Sequence, residues 1–417
     1  MKASFMIAAP TSGSGKTTIA RGLVALLSQK GMRVQPFKCG PDYIDTKFHE
    51  AVCGRYSINL DTFMAIPEHV CELFARYGET ADVCIVEGMM GLFDGYDRDK
   101  GSSAEIAPVL DIPVVLIVDA KSAAYSMAPL LSGFVNFKKE VRIAGVIFNK
   151  VGSEKHFNML RQVCDDLGLE CYGYLPKSAA LEQGSRYLGL DFSKTNDNQE
   201  LIHLLEEHVN WRRVLTLNEI TARCPRDYGS LPTRLRLVVA QNQESFSFVY
   251  QENIDRFENV IFFDPETEVP CLDDVDLLYL PGGYPEKHLE ALVANEACRK
   301  AIKDFAERGG RIQAECGGMM YLCEKIVTDA GAYPMCGVLP YAITARQCDR
   351  KLSLGYRRFV LEDREYRGHE FHYTQFMGDT PKSIVQVYNA KDEPVATPVF
   401  KYKNVIASYT HLYEIIG

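Results

Sequence analysis

The sequence predicts an α/β protein of two domains, a phosphate-loop domain on a parallel sheet followed by a second α/β domain. Three observations carry this. Apolar runs of strand length alternate with amphipathic helical runs, and a glycine-rich loop joins the first strand directly to the first helix. The alternation lapses after about Leu205 and resumes at Arg234. A chain of 417 residues also exceeds what one core ordinarily organises.

The elements follow in order. SFMIAAP (4–10) is the first strand, and its helix starts near Lys16. Further strands read at RVQPFK (33–38), DVCIVE (82–87), PVVLIVDA (113–120) and VRIAGVIFN (141–149), with EKHFNMLRQVCDDLG (154–168) as a later helix. Their near-continuous Val and Ile suit strands covered on both faces. Residues 206–233 mix a helical stretch with Pro, Gly and Ser, and read as a linker between a domain at 1–205 and one at 234–417. The second domain offers strands at RLRLVVA (234–240), NVIFFD (259–264), DLLYLPGG (276–283) and RIQAE (311–315). Residues 286–310 read as one long helix before the last of these.

Composition narrows the function. Hydrophobic residues at 47% and charged residues at 24% are ordinary for a globular chain, and a net charge of −9 opposes nucleic acid as a partner. No apolar run approaches the ~20 residues of a membrane span. The first strand begins almost at Met1, which leaves no room for a leader, so a cytoplasmic chain is expected. Thirteen Cys without a C-x-x-C pair fit reduced thiols rather than a disulfide framework or zinc site.

The loop P-T-S-G-S-G-K-T-T (10–18) lies between a strand and a helix, the context that makes a phosphate-binding motif credible. Backbone N–H groups of Gly13, Ser14, Gly15 and Lys16 would cradle phosphate, Lys16 would neutralise its charge, and Thr17 would hold magnesium, with Thr18 beside it. The strict pattern would place Gly where this chain has Pro10. Glu87 ends strand DVCIVE and opens E-G-M-M-G-L-F-D-G (87–95). In an open parallel sheet that end meets ligands, so Glu87 and Asp94 are candidates for the phosphate and magnesium side. K-C-G-P-D-Y-I-D (38–45) also follows a strand and offers Lys38, Asp42, Tyr43 and Asp45; a plain Gly-Pro-Asp turn is the structural alternative.

In the second half, GGRIQAECGGMMYL (309–322) places Cys316 between a strand and a helix, with two glycines permitting a sharp turn. That is the geometry of a nucleophile elbow, in which a helix N-terminus supplies free N–H groups for an oxyanion. L-P-G-G-Y-P (280–285) adds a second loop of donors. His411, in A-S-Y-T-H-L-Y-E (407–414), is the candidate base for the thiol. A buried core thiol is the competing reading for Cys316.

Together these residues resemble the cobyrinic acid a,c-diamide synthase family, in which a synthetase domain similar to dethiobiotin synthetase precedes a class I glutamine amidotransferase α/β domain. Further matches are G-P-D-Y-I-D, V-E-G-M-M-G-L-F-D-G, the L-G-L at 188–190, L-G-Y-R at 354–357 and G-H-E-F-H-Y at 368–373, so the resemblance spans the chain. It implies amidation of the a and c acetate carboxylates of a corrin, dependent on ATP and Mg2+, through an acyl phosphate and ammonia from L-glutamine. It makes Cys316 the glutaminase nucleophile, His411 its activator and Gly283 part of the oxyanion loop. Tyr43, Ile44, Asp45 and Asp94 fall near the carboxylate being activated, Asp94 with a catalytic role, while Thr17, Asp42 and Glu87 fall on the metal side.

The chain departs from the family pattern at three places. Tyr413 stands two residues after His411 where many relatives carry a carboxylate, with Glu414 next to it, so a Cys-His dyad is expected. Tyr187 replaces a His before L-G-L, and Gln243 lies where an Asp is usual. Nickel-sirohydrochlorin and hydrogenobyrinic acid are alternative macrocycles, and a homodimer is left open. A partition-type ATPase switch with an inactive amidotransferase domain is the reading from another class.

Overall fold

The computed structural model describes residues 3–178, 198–217 and 233–416, so Tyr187 and the L-G-L motif lie outside the described residues. The chain divides into two compact units, Met1–Tyr228 and Gly229–Gly417.

The first unit is built on seven strands: β1 (Ala3–Ala8), β2 (Val34–Cys39), β3 (Ile58–Leu60), β4 (Val83–Glu87), β5 (Val114–Asp119), β6 (Ile143–Val151) and β7 (Glu170–Pro176). They are ordered β3-β2-β4-β1-β5-β6-β7, and every neighbouring pair is parallel. β1, β2 and β4 are buried along their whole length, β2 even at Gln35 and Lys38. Helix α1 (Lys16–Gln29) leaves the phosphate loop, and α2 (Ile44–Cys53) follows β2. The described part of the span 206–233 packs into this unit. Val209, Trp211 and Val214 are buried in the same core as Leu23 and Leu26 of α1. Gly22 lets α1 approach closely, since a Cβ there would meet Leu205 Cδ1 at 2.5 Å.

The second unit carries β8 (Thr233–Ala240), β9 (Phe257–Phe263), β10 (Leu277–Leu280) and β11 (Ile312–Glu315). Between β10 and β11 the single helix expected over 286–310 is interrupted. A 3-10 turn at Pro285–Lys287 is followed by helices Leu289–Ala294 and Glu296–Glu307. The reason is Asn295, whose side chain accepts from the Cys298 N–H at 3.2 Å and starts a new helix. After helix Gly317–Leu322 the chain turns to strands that the apolar alternation did not reveal, two of them nine residues long. These are β12 (Cys323–Thr328), β13 (Gly331–Pro334), β14 (Leu339–Thr344), β15 (Ser353–Leu361), β16 (Arg364–His372), β17 (Gln375–Met377), β18 (Val387–Tyr388), β19 (Pro394–Val395), β20 (Val399–Tyr402), β21 (Val405–Ser408) and β22 (His411–Leu412).

They form a main sheet β20-β21-β11-β10-β8-β9 and two smaller sheets, β13-β12-β14-β17 and β19-β18-β15-β16-β22. In the main sheet β21 runs parallel to β11, pairing Glu315 with Ser408. This register brings the end of β21, and His411 three residues on, to the end of the sheet where Cys316 leaves β11. β22 then pairs His411 with His369 of β16. Among the described residues no helix is long and apolar enough to cross a membrane, and the cysteines are free thiols.

A buried carboxylate ties the last sheet together. Glu370 accepts from Ser353 Oγ at 2.6 Å, Arg357 Nε at 2.6 Å and Thr397 Oγ1 at 2.5 Å, and His372 Nε2 lies at 2.8 Å. Burial alone would raise its pKa, but His372 and Arg357 outweigh burial and bring it from 4.5 to about 2. The folded chain therefore keeps this group ionised at a pH where the unfolded chain binds a proton. Its contribution is complete above about pH 4.5 and is lost as pH falls through about 2. Glu370→Gln is expected to flatten that part of the acid limb and to cost ~3–5 kcal/mol at pH 7 by stranding Arg357, as measured by denaturant unfolding across pH.

Candidate functional site

The phosphate loop begins where β1 ends. Gly13 and Gly15 have φ of 78° and 99°, left-handed turns that a side chain would oppose. Gly15 has a second constraint, since a Cβ there would meet Asn149 Nδ2 at 2.1 Å. The same amide donates to the Ser14 carbonyl at 2.9 Å, so the end of β6 buttresses the loop. Lys16 opens α1, and its Nζ donates to the Met90 carbonyl in the loop after β4. Thr18 is half-buried in the first turn.

Behind the loop lies a buried cluster. Thr17 Oγ1 donates to Glu87 Oε1 at 2.6 Å and lies 3.4 Å from Asp45 Oδ2. Lys38 Nζ bridges the same carboxylates, 2.6 Å from Asp45 and 2.9 Å from Glu87, while His49 Nε2 lies 2.8 Å from Glu87 Oε2. Local geometry dictates this meeting. Lys38 and Glu87 are register partners in β2 and β4, and Asp45 and His49 are four apart on α2, hence on one face. Burial opposes a charge on Glu87, but Lys38, then His49 and Thr17, hold its carboxyl well below the usual range. Burial likewise opposes the Lys38 ammonium, and Asp45 and Glu87 raise it above the usual range.

Asp42 takes a different position from Asp45. Its Oδ1 accepts from the Ile44 and Asp45 N–H groups at 2.8 and 3.0 Å, an Asx turn that starts α2 and so aims Asp45. Tyr43 is buried at the same helix start, and its carbonyl accepts from Thr46 Oγ1 at 2.6 Å. Asp94 Oδ2 accepts from the Gly91 N–H at 3.0 Å, in a turn pressed on the phosphate loop, where a Cβ at Gly91 would lie 2.6 Å from the Pro10 carbonyl oxygen. Thr17, Asp45 and Glu87 are thus brought together, joined by Lys38 and by His49, which the sequence reading missed. His49 was legible as the residue one helical turn beyond Asp45, and Asn149 as the polar end of an apolar strand.

In the second unit Cys316 joins β11 to helix Gly317–Leu322 with φ 46° and ψ −108°, a conformation costly for a residue with a side chain. The Cys316 N–H donates to the Ser408 carbonyl at 2.8 Å. Backbone crowds the elbow on its far side. A Cβ at Gly318 would lie 2.0 Å from the Leu280 carbonyl oxygen, and one at Gly317 would lie 2.9 and 3.0 Å from Gly283 O and N. Gly283 itself presses on Ser245, whose carbonyl oxygen would be 2.3 Å from an added Cβ. Next to it, Gly282 lies flat against the His411 ring, with Cε1 2.0 Å from where its Cβ would be. One glycine pair therefore contacts both the elbow and the imidazole.

Residues 5–188 match the CobQ/CobB/MinD/ParA nucleotide binding domain, and residues 238–414 match the CobB/CobQ-like glutamine amidotransferase domain. A cobyrinate a,c-diamide synthase of Caldanaerobacter subterraneus subsp. tengcongensis is 36% identical over 98% of this chain and 94% of its own. The chain belongs to the CobB/CobQ-like cobyrinate a,c-diamide synthase family. Further relatives are a hydrogenobyrinate a,c-diamide synthase of Brucella abortus biovar 1, 37% identical over 99% of both chains, and a cobyrinate a,c-diamide synthase of Listeria monocytogenes serotype 4b. The Listeria protein is 37% identical over 98% of this chain and 95% of its own.

Within this family fold the electrostatics around the thiol follow from burial. Burial first, then the Glu286 carboxylate, push the Cys316 thiol above its usual range, although the Gly317 N–H donates toward it. Burial, then His369 and His372, lower His411 to about 3, so its imidazole is neutral at rest. Glu315 holds the strand that bears His411. Its carboxylate accepts from Tyr279 Oη at 2.8 Å, from Gln313 Nε2 at 2.6 Å, and from the Leu412 N–H. Glu414 is engaged by Arg256 and Arg364, and Tyr413 packs on Tyr250 with ring centroids 5.2 Å apart. His372 stacks on Tyr409 with centroids 3.6 Å apart and is held by Glu370, a structural role.

Gly318→Ala should cost ~1–3 kcal/mol, because a backbone carbonyl and not a flexible side chain occupies the space its methyl needs. It should also displace the elbow and lower glutamine turnover, read as a lower unfolding midpoint and slower glutamate release.

Proposed function

We propose that this protein is the ATP-dependent, glutamine-hydrolysing ligase that amidates the a and c acetate carboxylates of cobyrinic acid in cobalamin biosynthesis. One observation carries the reading: a phosphate loop backed by the Thr17–Glu87 contact and a strained cysteine elbow beside His411 occur on one chain that aligns end to end with a,c-diamide synthases. Hydrogenobyrinic acid is the second reading, favoured by the Brucella relative of equal likeness.

On this reading the first unit binds nucleotide. The N–H groups of residues 13–16, at the start of α1, suit phosphate oxygens, and Lys16 supplies the balancing charge. Thr17 with Glu87, and Asp45 alongside, are the residues that would hold magnesium. The donor set fits, because a hydroxyl and two carboxylates gather within 3.4 Å, and this ion takes its other ligands from phosphate and water. When bound, ATP supplies the phosphoryl group that makes a carboxylate open to attack. Tyr43 and Ile44, at the start of α2, and Asp94, in the loop after β4, are assigned to orienting the acetate.

The second unit makes the nucleophile. His411 accepts the Cys316 proton as Sγ attacks the amide carbon of glutamine, and the N–H groups of Gly283 and Gly317 are assigned to the developing oxyanion. The proton passes to the departing nitrogen, ammonia leaves, and water hydrolyses the thioester to release glutamate and restore the thiol.

Separate variants test the division of labour. Cys316→Ala should lower product formed from glutamine by at least about a hundredfold while high ammonium still supports amidation, because only the nitrogen source is lost. Lys16→Ala should lower product by at least about a hundredfold with either nitrogen donor. Chromatography of the amidated macrocycle reads both. Loss of both activities in Cys316→Ala, or retained amidation in Lys16→Ala, would contradict the assignment.

A further inference from the structure

Glu286 sits in the 3-10 turn Pro285–Lys287, directly after the glycine pair that touches both the elbow and His411. Its neighbour Pro285 packs on the elbow, with Cδ 2.8 Å from where a Cβ at Gly317 would be. Glu286 Oε2 is shut off from solvent and has no hydrogen-bond partner. A carboxylate oxygen in that state is costly unless a cation or donor arrives to meet it. Nearby charges do not fill the role. Burial dominates the environment of the group and raises its pKa, and a hydrogen bond from its own backbone N–H and the attraction of Lys287, Arg350 and His288 only partly offset it. The Glu286 carboxylate is also, after burial, the strongest influence keeping the Cys316 thiol protonated.

The reaction brings one molecule to this thiol that carries a permanent cation, namely glutamine with its α-ammonium. We propose that Glu286 receives the α-ammonium of glutamine and so selects an amino acid, rather than any primary amide, as the nitrogen donor. The same contact cancels the negative charge beside Cys316, so the thiol is eased toward its reactive form when the correct donor is seated. Glu286 is a specificity-determining residue on this account, and the proposal rests on the glutaminase reading given above.

The test uses the full chain with ATP and macrocycle present. It compares glutamate release from glutamine with glutarate release from glutaramate, which is glutamine without its α-amino group. The intact protein should prefer glutamine in kcat/KM by roughly ten- to a hundredfold, the contribution of one charge-assisted hydrogen bond. Glu286→Gln should reduce that preference to within about threefold, chiefly through a raised KM for glutamine. A variant that keeps the original preference, whatever its absolute rate, overturns the proposal, as it would if Glu286 acted only on departing ammonium. If Glu286→Gln lacks a cooperative thermal transition, Glu286→Asp decides by the same ratio, a reduced preference supporting the assignment and an unchanged one overturning it. Absence of glutamate release by the unaltered protein would remove the glutaminase reading, and the assignment with it.

Discussion

Backbone crowding around Cys316 governs the arrangement of the second unit. The residue is held at φ 46°, and a Cβ would not fit at Gly318, Gly317 or Gly282 without displacing a carbonyl, the neighbouring loop or the His411 ring. Strain of this kind persists only where surrounding structure over-determines it. Here β10 and β11 pair in parallel register, the Cys316 N–H is fixed on Ser408, and Glu315 holds the strand that carries His411. Both reacting groups are buried, and burial leaves thiol and imidazole neutral at rest. A site so composed stays quiet in water and depends on what enters it.

The first unit solves a different problem with the same architecture. Two carboxylates, Asp45 and Glu87, are buried at the carboxyl ends of parallel strands, and neither could remain ionised there alone. Lys38 bridges them and His49 completes the second oxygen of Glu87, so the pair is ready to hold the Thr17 hydroxyl in place. In both units the chemistry stands at strand ends, where loops are free to carry polar groups and the sheet is rigid enough to place them.

How much of this was legible in the sequence depended on whether the signal was local. β1, β4, β5 and β6 were visible as apolar runs, β2 as a shorter mixed one, and the phosphate loop and elbow as glycine patterns between a strand and a helix. Asp42 and Asp45 looked equivalent because both follow one strand; only the Asx turn at the start of α2 separates a capping residue from one that reaches Lys38. The split of the helix expected over 286–310 turned on Asn295, a capping residue hidden inside an amphipathic run. The strands after helix Gly317–Leu322 escaped notice because charged and polar residues interrupt their apolar runs, even where neighbours in sequence pair directly, as β12 with β13, β15 with β16 and β20 with β21. Glu286, Glu315 and Glu370 were invisible for a related reason, since the burial that makes a carboxylate important is not written in its neighbours.

The account joins a nucleotide site and a thiol site as two halves of one amidation. The most direct test is mass spectrometry of the macrocycle after incubation with ATP, magnesium and glutamine labelled at its amide nitrogen, run in parallel on cobyrinic acid, hydrogenobyrinic acid and nickel-sirohydrochlorin. The account predicts two labelled amides on cobyrinic acid or hydrogenobyrinic acid, formed only when ATP is present. Hydrolysis of ATP and glutamine without label in any macrocycle would contradict it.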